Sequence, residues 1–348
     1  MHIDNLFKIT YESNASDLHL IAGQPPIIRI NGELKKIKNQ SILGKKEIED
    51  LVFSILYTNQ KEKFIKEREL DFSYGIKGAG RFRINLHFEK NNISLAARVI
   101  PNKIPTMEDI LMPLITYELT RRLKGLILIT GPTGCGKSTT LAAMVDLINN
   151  ERTSNIITLE DPIEFLFKSK KSIIRQRQLG TDMLSFNTAL KHTLRQDPDI
   201  IIVGEMRDLE TIAATITLAE TGHLVLGTLH TYNAAQTVDR IIDIFPPYQQ
   251  GQIRFQLSMV LVAVISQQLV PTLNKEGQVA TREILINTPA IANLIRENKI
   301  AQIKTVLQTG ARDQMVSMDQ DLKRLYKEGS ISKENAQIRM ENPESLIN

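Results

Sequence analysis

Residues 131–138 read GPTGCGKS, a full match to the G-x-x-x-x-G-K-[ST] phosphate-binding loop. Residues 126–130, LILIT, precede it as an apolar strand, and residues 139–149 follow with helical character. The chemistry needs each part. Gly131, Pro132, Thr133, Gly134, Cys135 and Gly136 form a loop small enough for backbone amides to wrap a triphosphate. The helix starting near Lys137 points its positive end at the anion. Lys137 reaches the β- and γ-phosphates, the Ser138 hydroxyl ligates Mg²⁺, and Thr139 stands beside them. The expected ligands are therefore ATP and Mg²⁺. A glycine-rich turn with a chance lysine lacks the strand and helix that frame this loop.

Outward from the loop, strand-like and helical runs alternate. They cover residues 126–130, 139–149, 156–159, 186–195, 200–203, 209–220 and 224–228. That alternation predicts an α/β domain, a largely parallel sheet covered by helices. From Pro247 onward the tail reads as mainly helical. Upstream, residues 1–100 read as a small α+β domain. Residues 18–20 and 27–30 are short strands, and residues 45–68 carry the periodicity of one helix. Gly78 and Gly80 introduce RFRINLHF, residues 89–92 form a turn, and ISLAARVI follows as the second arm of a hairpin. Pro101, Pro105 and Pro113 mark residues 101–115 as a linker. The expected division is thus 1–100, a linker at 101–115, and an ATPase domain at 116–348.

A chain of 348 residues with 42% apolar and 24% charged residues suits two globular domains. Its net charge of +4 does not demand nucleic acid. The single cysteine, Cys135, excludes an internal disulfide and a cysteine zinc site, and it fits a reducing compartment. The opening MHIDNLFKIT lacks the marks of a signal peptide. The longest apolar run, residues 259–265, is too short to span a bilayer. Any membrane role is expected to work through partner proteins.

Two acidic boxes could serve hydrolysis. Residues 197–205 read DPDIIIVGE, which places Glu205 at the carboxyl end of a strand beside the phosphate loop. A carboxylate there polarises the attacking water. Asp199 lies about 20 Å away along the strand and cannot share that post. Gly204 stands where the common Walker B form carries an acid. In the second box, Glu160, Asp161 and Glu164 follow a strand, and Glu164 is the candidate second carboxylate for water or Mg²⁺.

His223 and His230 flank the strand in TGHLVLGTLHT. Strand length holds them about 20 Å apart, so they cannot chelate one metal. His230 lies just past the strand end, on the catalytic edge, where it is placed to sense the γ-phosphate. In the hairpin, a turn centred between Lys90 and Asn91 sets Arg83 opposite Arg98, with Arg81 on the face of Arg83. Facing like charges are unfavourable unless an anion binds near them. These arginines are expected to reach the phosphates of a neighbouring subunit; a solvated basic face is the plainer reading.

GPTGCGKSTT, TLEDPIEF, RQDPDIIIVGEMRDLETI and AETGHLVLGTLHT together resemble the boxes of the type II/type IV secretion ATPase superfamily. Within it the chain is similar to the pilus retraction ATPases, and SDLHL, FRINLHF and MDQDLKRLY extend the likeness over nearly its whole length. The resemblance implies a homohexamer of subunits with a PAS-like N-terminal domain and a RecA-like P-loop ATPase domain, ATP binding between them. It implies Lys137, Ser138, Glu164, Glu205, His223 and His230 as site residues, and supports Arg81, Arg83 and Arg98 as phosphate sensors. Arg195, Arg207 and Asp208 fall in the boxes without an assigned role. Assembly ATPases of the superfamily usually add an N-terminal domain and a four-cysteine zinc module, so a single cysteine favours retraction over extension. AIANLIRENK at residues 290–299 is similar to a retraction signature in which arginine usually stands at Ala292 and glycine at Asn298. The implied partners are an inner-membrane platform protein and, indirectly, pilins. The implied place is cytoplasmic, at the inner face of the bacterial inner membrane, with no insertion into it. The alternatives are an extension or type II secretion motor, a nucleotide-switched regulatory module, and a nucleic-acid translocase. The last is disfavoured because the basic run at residues 168–177 lacks interleaved aromatics.

Overall fold

Two hydrophobic periods, one of two residues and one of three to four, build two separate compact units. The computed structural model describes residues 2–30, 32–77, 80–100, 103–274 and 277–346. The turn reading at Gly78 and the linker reading at Pro101 lie outside the described residues. One unit comprises Met1–Lys103 with Pro162–Leu166; the other comprises Ile104–Asp161 with Phe167–Asn348.

In the first unit the described strands are β1 (Asp17–Leu20), β2 (Ile27–Ile30), β3 (Glu33–Lys36), β4 (Glu69–Ile76), β5 (Gly80–Glu89) and β6 (Asn92–Ile100). They pair in the order β3-β2-β1-β6-β5-β4, each pair antiparallel. Alternation puts Phe82, Ile84 and Leu86 of β5 in the core and leaves Arg83 on the opposite face. The apolar face packs on α1 (Ile3–Glu12), α2 (Lys45–Phe53) and α3 (Thr58–Glu67), with the Phe7 and Phe82 rings 4.6 Å apart. Lys90 and Asn91 both take positive φ, 50° and 62°, as a two-residue primed hairpin turn requires. That turn fixes the register, and Arg83 faces Arg98.

The single helix expected over residues 45–68 is two helices. The Ser54 hydroxyl bonds back to the Leu51 carbonyl at 2.6 Å, and Tyr57 is extended with its N–H donated to Gln60 Oε1 at 3.1 Å. Local capping thus breaks a run whose apolar periodicity is continuous. Helix α1 and strands β3 and β4 carried no expectation; β3 is exposed along its whole length, so it has no buried alternation to read.

The second unit begins earlier than the linker reading placed it. Met107 and Met112 are buried in its core, at 2% and 7% exposure, so the chain joins this unit from Ile104 rather than after residue 115. Its elements are α4 (Leu114–Thr120), β7 (Gly125–Thr130), α5 (Lys137–Glu151), β8 (Asn155–Glu160), β9 (Ile173–Gln178), α6 (Phe186–Thr193), β10 (Ile200–Val203), α7 (Leu209–Glu220), β11 (Leu224–Leu229), α8 (Ala234–Asp243), α9 (Pro247–Val260), β12 (Leu261–Pro271), β13 (Gln278–Ile286), α10 (Pro289–Arg296), α11 (Ile303–Thr309), α12 (Met318–Lys327) and α13 (Lys333–Gln337). The sheet runs β13-β12-β7-β11-β10-β8-β9, parallel throughout except for β13.

Helices cover both faces of this sheet, which is why its central strands are apolar without alternation. In β7, Leu126 and Leu128 enter a core shared with α7 and α9, while Ile127 and Ile129 enter another shared with α5. Each such side chain contributes roughly 1.5–3 kcal/mol by burial. The tail is mainly helical as expected, but it also holds two strands, β12 and β13. α9 passes into β12 at Leu261 with no loop between them, where the β-branched residues Val262, Val264 and Ile265 favour a strand. The parallel order brings the carboxyl ends of β7, β8, β10 and β11 to one edge.

Candidate nucleotide site

The phosphate loop leaves β7 at Thr130 and enters α5 at Lys137. Gly131 has φ +141°, and a Cβ there would lie 2.3 Å from the Gln267 carbonyl oxygen, so only glycine fits. Gly136 caps α5 in the left-handed region at φ +87°. The loop is braced from β12. Gln267 donates from Nε2 to the Cys135 carbonyl at 2.6 Å, and its Oε1 accepts from Thr140 at 2.9 Å. Thr130 and Ser266 hydroxyls meet at 2.8 Å one residue pair away. Lys137 is 9% exposed, and its ammonium donates to the carbonyls of Gly131 at 2.8 Å and Pro132 at 3.1 Å. The helix N-terminus, the glycine curvature and this ammonium form a cradle that fits a triphosphate. Ser138, at the first turn of α5, is the residue that would hold Mg²⁺. Cys135 is buried, and burial pushes its thiol up against the opposing pull of Lys137.

The second component gathers at the ends of β10 and β11. Gly204 follows β10, and a Cβ there would meet the Leu159 carbonyl at 2.9 Å, which accounts for glycine where an acid is usual. Glu205 comes next. Arg207 grips it with two nitrogens, Nε at 2.6 Å and Nη2 at 2.7 Å, and His230 Nε2 lies 3.1 Å away. The other nitrogen of His230 is 3.4 Å from the hydroxyl of Thr133 in the phosphate loop. A continuous polar chain therefore runs from Thr133 through His230 and Glu205 to Arg207. Burial works to raise the Glu205 pKa, but Arg207 and His230 outweigh it and hold the carboxyl below its ordinary value. The group is an anion at neutral pH, aimed at the loop by a histidine.

Other sequence-predicted residues fall elsewhere. His223 was expected to bind the nucleotide, but it precedes β11, at the opposite end of that strand from His230, and its ring bonds to Thr221 and the Leu218 carbonyl, each at 3.1 Å. Within the chain it is a turn residue. Glu164 belongs to the first unit, where its carboxylate lies 3.9 Å from Arg83 Nη1. The like-charged pair is offset from inside rather than by a bound anion alone: Arg98 Nε is 2.8 Å from the Asp17 carboxylate, and Arg81 bonds to Ser73. Asp199 accepts the Asn155 N–H at 2.8 Å at the amino end of the sheet, away from Glu205 as expected. Asp208 caps α7 by accepting from Thr211 N at 2.8 Å. Sequence reasoning missed Gln267 as a brace and Arg207 as a partner. The polar trio Ser266, Gln267 and Gln268 inside an apolar strand is the signal that could have found the first.

Beside Gly136, Thr139 and Thr140 opens a cavity of about 920 Å³, largely apolar, with Leu269, Val279 and Arg282 in its wall. It adjoins the last loop residues, Cys135 and Gly136, and has the volume of a small-molecule pocket.

The family model described as "Type II/IV secretion system protein" matches residues 106–348. The chain is 46% identical over 346 residues to the type IV pilus retraction ATPase PilT of Pseudomonas aeruginosa, covering 99% of this chain and 100% of that protein. It is 47% identical over 326 residues to a twitching motility protein of Neisseria gonorrhoeae, covering 94% and 87%. A crystal structure of the pilus retraction motor PilT with bound ADP superposes with a TM-score of 0.93 at 44% identity, covering 99% of this chain and 98% of that one. With a phosphate cradle facing an ionised glutamate on a parallel sheet, and a likeness that runs end to end, the chain is an ATPase of the type II/IV secretion system protein family.

Proposed function

We propose that this chain is the ring-forming motor that retracts type IV pili, converting ATP hydrolysis into withdrawal of pilins at the inner membrane. The observation that carries this reading is the Thr133–His230–Glu205 chain, set in a protein alike over its full length to retraction ATPases. ATP seats its phosphates on residues 131–139, with Lys137 against the β- and γ-oxygens. Mg²⁺, held through Ser138, supplies charge neutralisation at those oxygens when bound. Glu205 orients a water in line with the γ-phosphorus and draws its proton as the new P–O bond forms and the bond to ADP breaks. His230 links that carboxylate to Thr133, so loss of the γ-phosphate is felt at Glu205.

Arg81, Arg83 and Arg98 of the N-terminal unit complete the nucleotide site of a neighbouring subunit in a homohexamer, Glu164 serves as the second carboxylate for water or Mg²⁺, and the interfaces close on ATP and open on ADP. The ring then works on an inner-membrane platform protein from the cytoplasmic side. Deletion of the gene tests the reading: excess surface pili with lost twitching are expected, and Lys137→Ala should reproduce both. Absent pili would instead assign the chain to extension. A normal pilus count, with no hydrolysis by the assembled protein, would leave a regulatory switch in place of a motor.

A further inference from the structure

The wall of the cavity beside the phosphate loop carries a buried cation with no assigned task. Arg282 is 3% exposed, in β13 at the edge of the sheet. Its guanidinium donates to two successive carbonyls of one turn, Ile110 at 2.8 Å and Leu111 at 3.1 Å, and its Nε has no hydrogen-bond partner among the described residues. Leu111 sits in the left-handed region at φ +52° with its side chain largely exposed. A leucine there is strained and persists only when something holds it. Burying a guanidinium is itself unfavourable unless it is well bonded. The two costs meet in one contact, and that contact forms the cavity's wall: Ile110, Leu111 and Arg282 all line it.

The register ties this wall to the phosphate loop. Arg282 is the direct cross-strand partner of Gln267, the residue that braces Cys135 and Thr140. One strand pair therefore sets both ends of the site, the phosphate cradle through Gln267 and the far wall through Arg282. The Arg282 backbone is fixed in turn, its N–H donating to the buried Asp321 carboxylate at 2.8 Å.

We propose that Arg282 is a positioning residue for the nucleotide, holding the strained turn at Ile110 and Leu111 as the wall against which the nucleoside of ATP packs. This rests on the reading of the chain as an ATPase. It assigns the cavity to the base and ribose, and leaves the triphosphate to residues 131–139.

The test measures binding of Mg·ATP and of Mg·inorganic triphosphate to the full-length assembled protein by calorimetry, with steady-state hydrolysis alongside. The wild type should bind ATP more tightly than triphosphate. Arg282→Met keeps the bulk and removes the donors. It should raise the Kd and KM for ATP about tenfold, while the triphosphate Kd and kcat stay within about twofold. Arg282→Lys, with one donor head in place of a fork, should fall between. Equal loss of both ligands, or an unfolded protein with both substitutions, would assign Arg282 to stability and overturn the proposal. Equal wild-type affinity for the two ligands would overturn the assignment of the cavity. Lys137→Ala should lose both ligands; if it keeps ATP, the ATPase reading fails instead.

Discussion

Glu205, the proposed base, is held by a cation to which the proposed hydrolysis gives no step. Arg207 bonds it through two nitrogens and is the larger of the two partners that hold its carboxyl below the ordinary value against burial. The sign of the consequence follows. Without Arg207 the raising effect of burial gains, so the acid limb of the kcat profile in Arg207→Ala should move to higher pH. A pH–rate series on the assembled protein checks this, and an unmoved limb would show that Arg207 does not govern the base. At this scale the sequence was informative where chemistry dictates residue type. Glu205 and His230 meet at 3.1 Å, and His230 reaches Thr133 of the loop that carries Lys137. Arg207 stood inside a recognised box, but nothing in the order Glu-Met-Arg says that the arginine folds back onto the glutamate. His223 is the reverse case: its box was legible, and strand direction sets it at the far end of β11 from His230.

Among the elements, β12 decides the most and was read least well. Its apolar run continues the periodicity of α9 without a punctuating glycine or proline, so residues 247–271 look like one helix until the sheet accepts the second half. Tertiary pairing with β7 and β13 overrides local pattern there. The break between α2 and α3 is the reverse case, in which side-chain capping by Ser54 and Gln60 interrupts an unbroken stripe. The central strands β7, β10 and β11 were legible because burial on both faces leaves continuous apolar runs. β12 also gives the element-scale prediction. Gln267→Ala leaves the Cys135 carbonyl and the Thr140 hydroxyl without their partner inside the core. Such a loss costs about 1–3 kcal/mol. Thermal melts should fall, and ATP affinity should drop with them because the loop itself loosens. A melt unchanged from wild type would remove Gln267 from the account.

For the molecule as a whole, the first unit presents a cross-strand row of charge, Arg29, Asp17, Arg98 and Arg83 on successive strands β2, β1, β6 and β5. Asp17 is buried and stands between two of the arginines, which lets like charges sit side by side without unfolding the sheet. The guanidiniums of Arg83 and Arg98 are largely exposed, so removing them spares the core. Arg83→Ala with Arg98→Ala should therefore leave the melting temperature within a few degrees while hydrolysis by the assembled ring falls at least tenfold. Hydrolysis at the wild-type rate would confine this row to surface charge. The pairing of Arg83 with Arg98 was legible from a two-residue turn, but Asp17 was not, because its contact spans residues far apart in the chain.

Cys135 turns the phosphate loop into its own tamper seal. Its thiol is packed under Gly131, resists ionisation, and is the chain's lone sulfhydryl. Electrophiles and oxidants in solution reach it poorly while the loop keeps this packing. The speed with which this one thiol is labelled is then a gauge of how tightly the cradle is closed up.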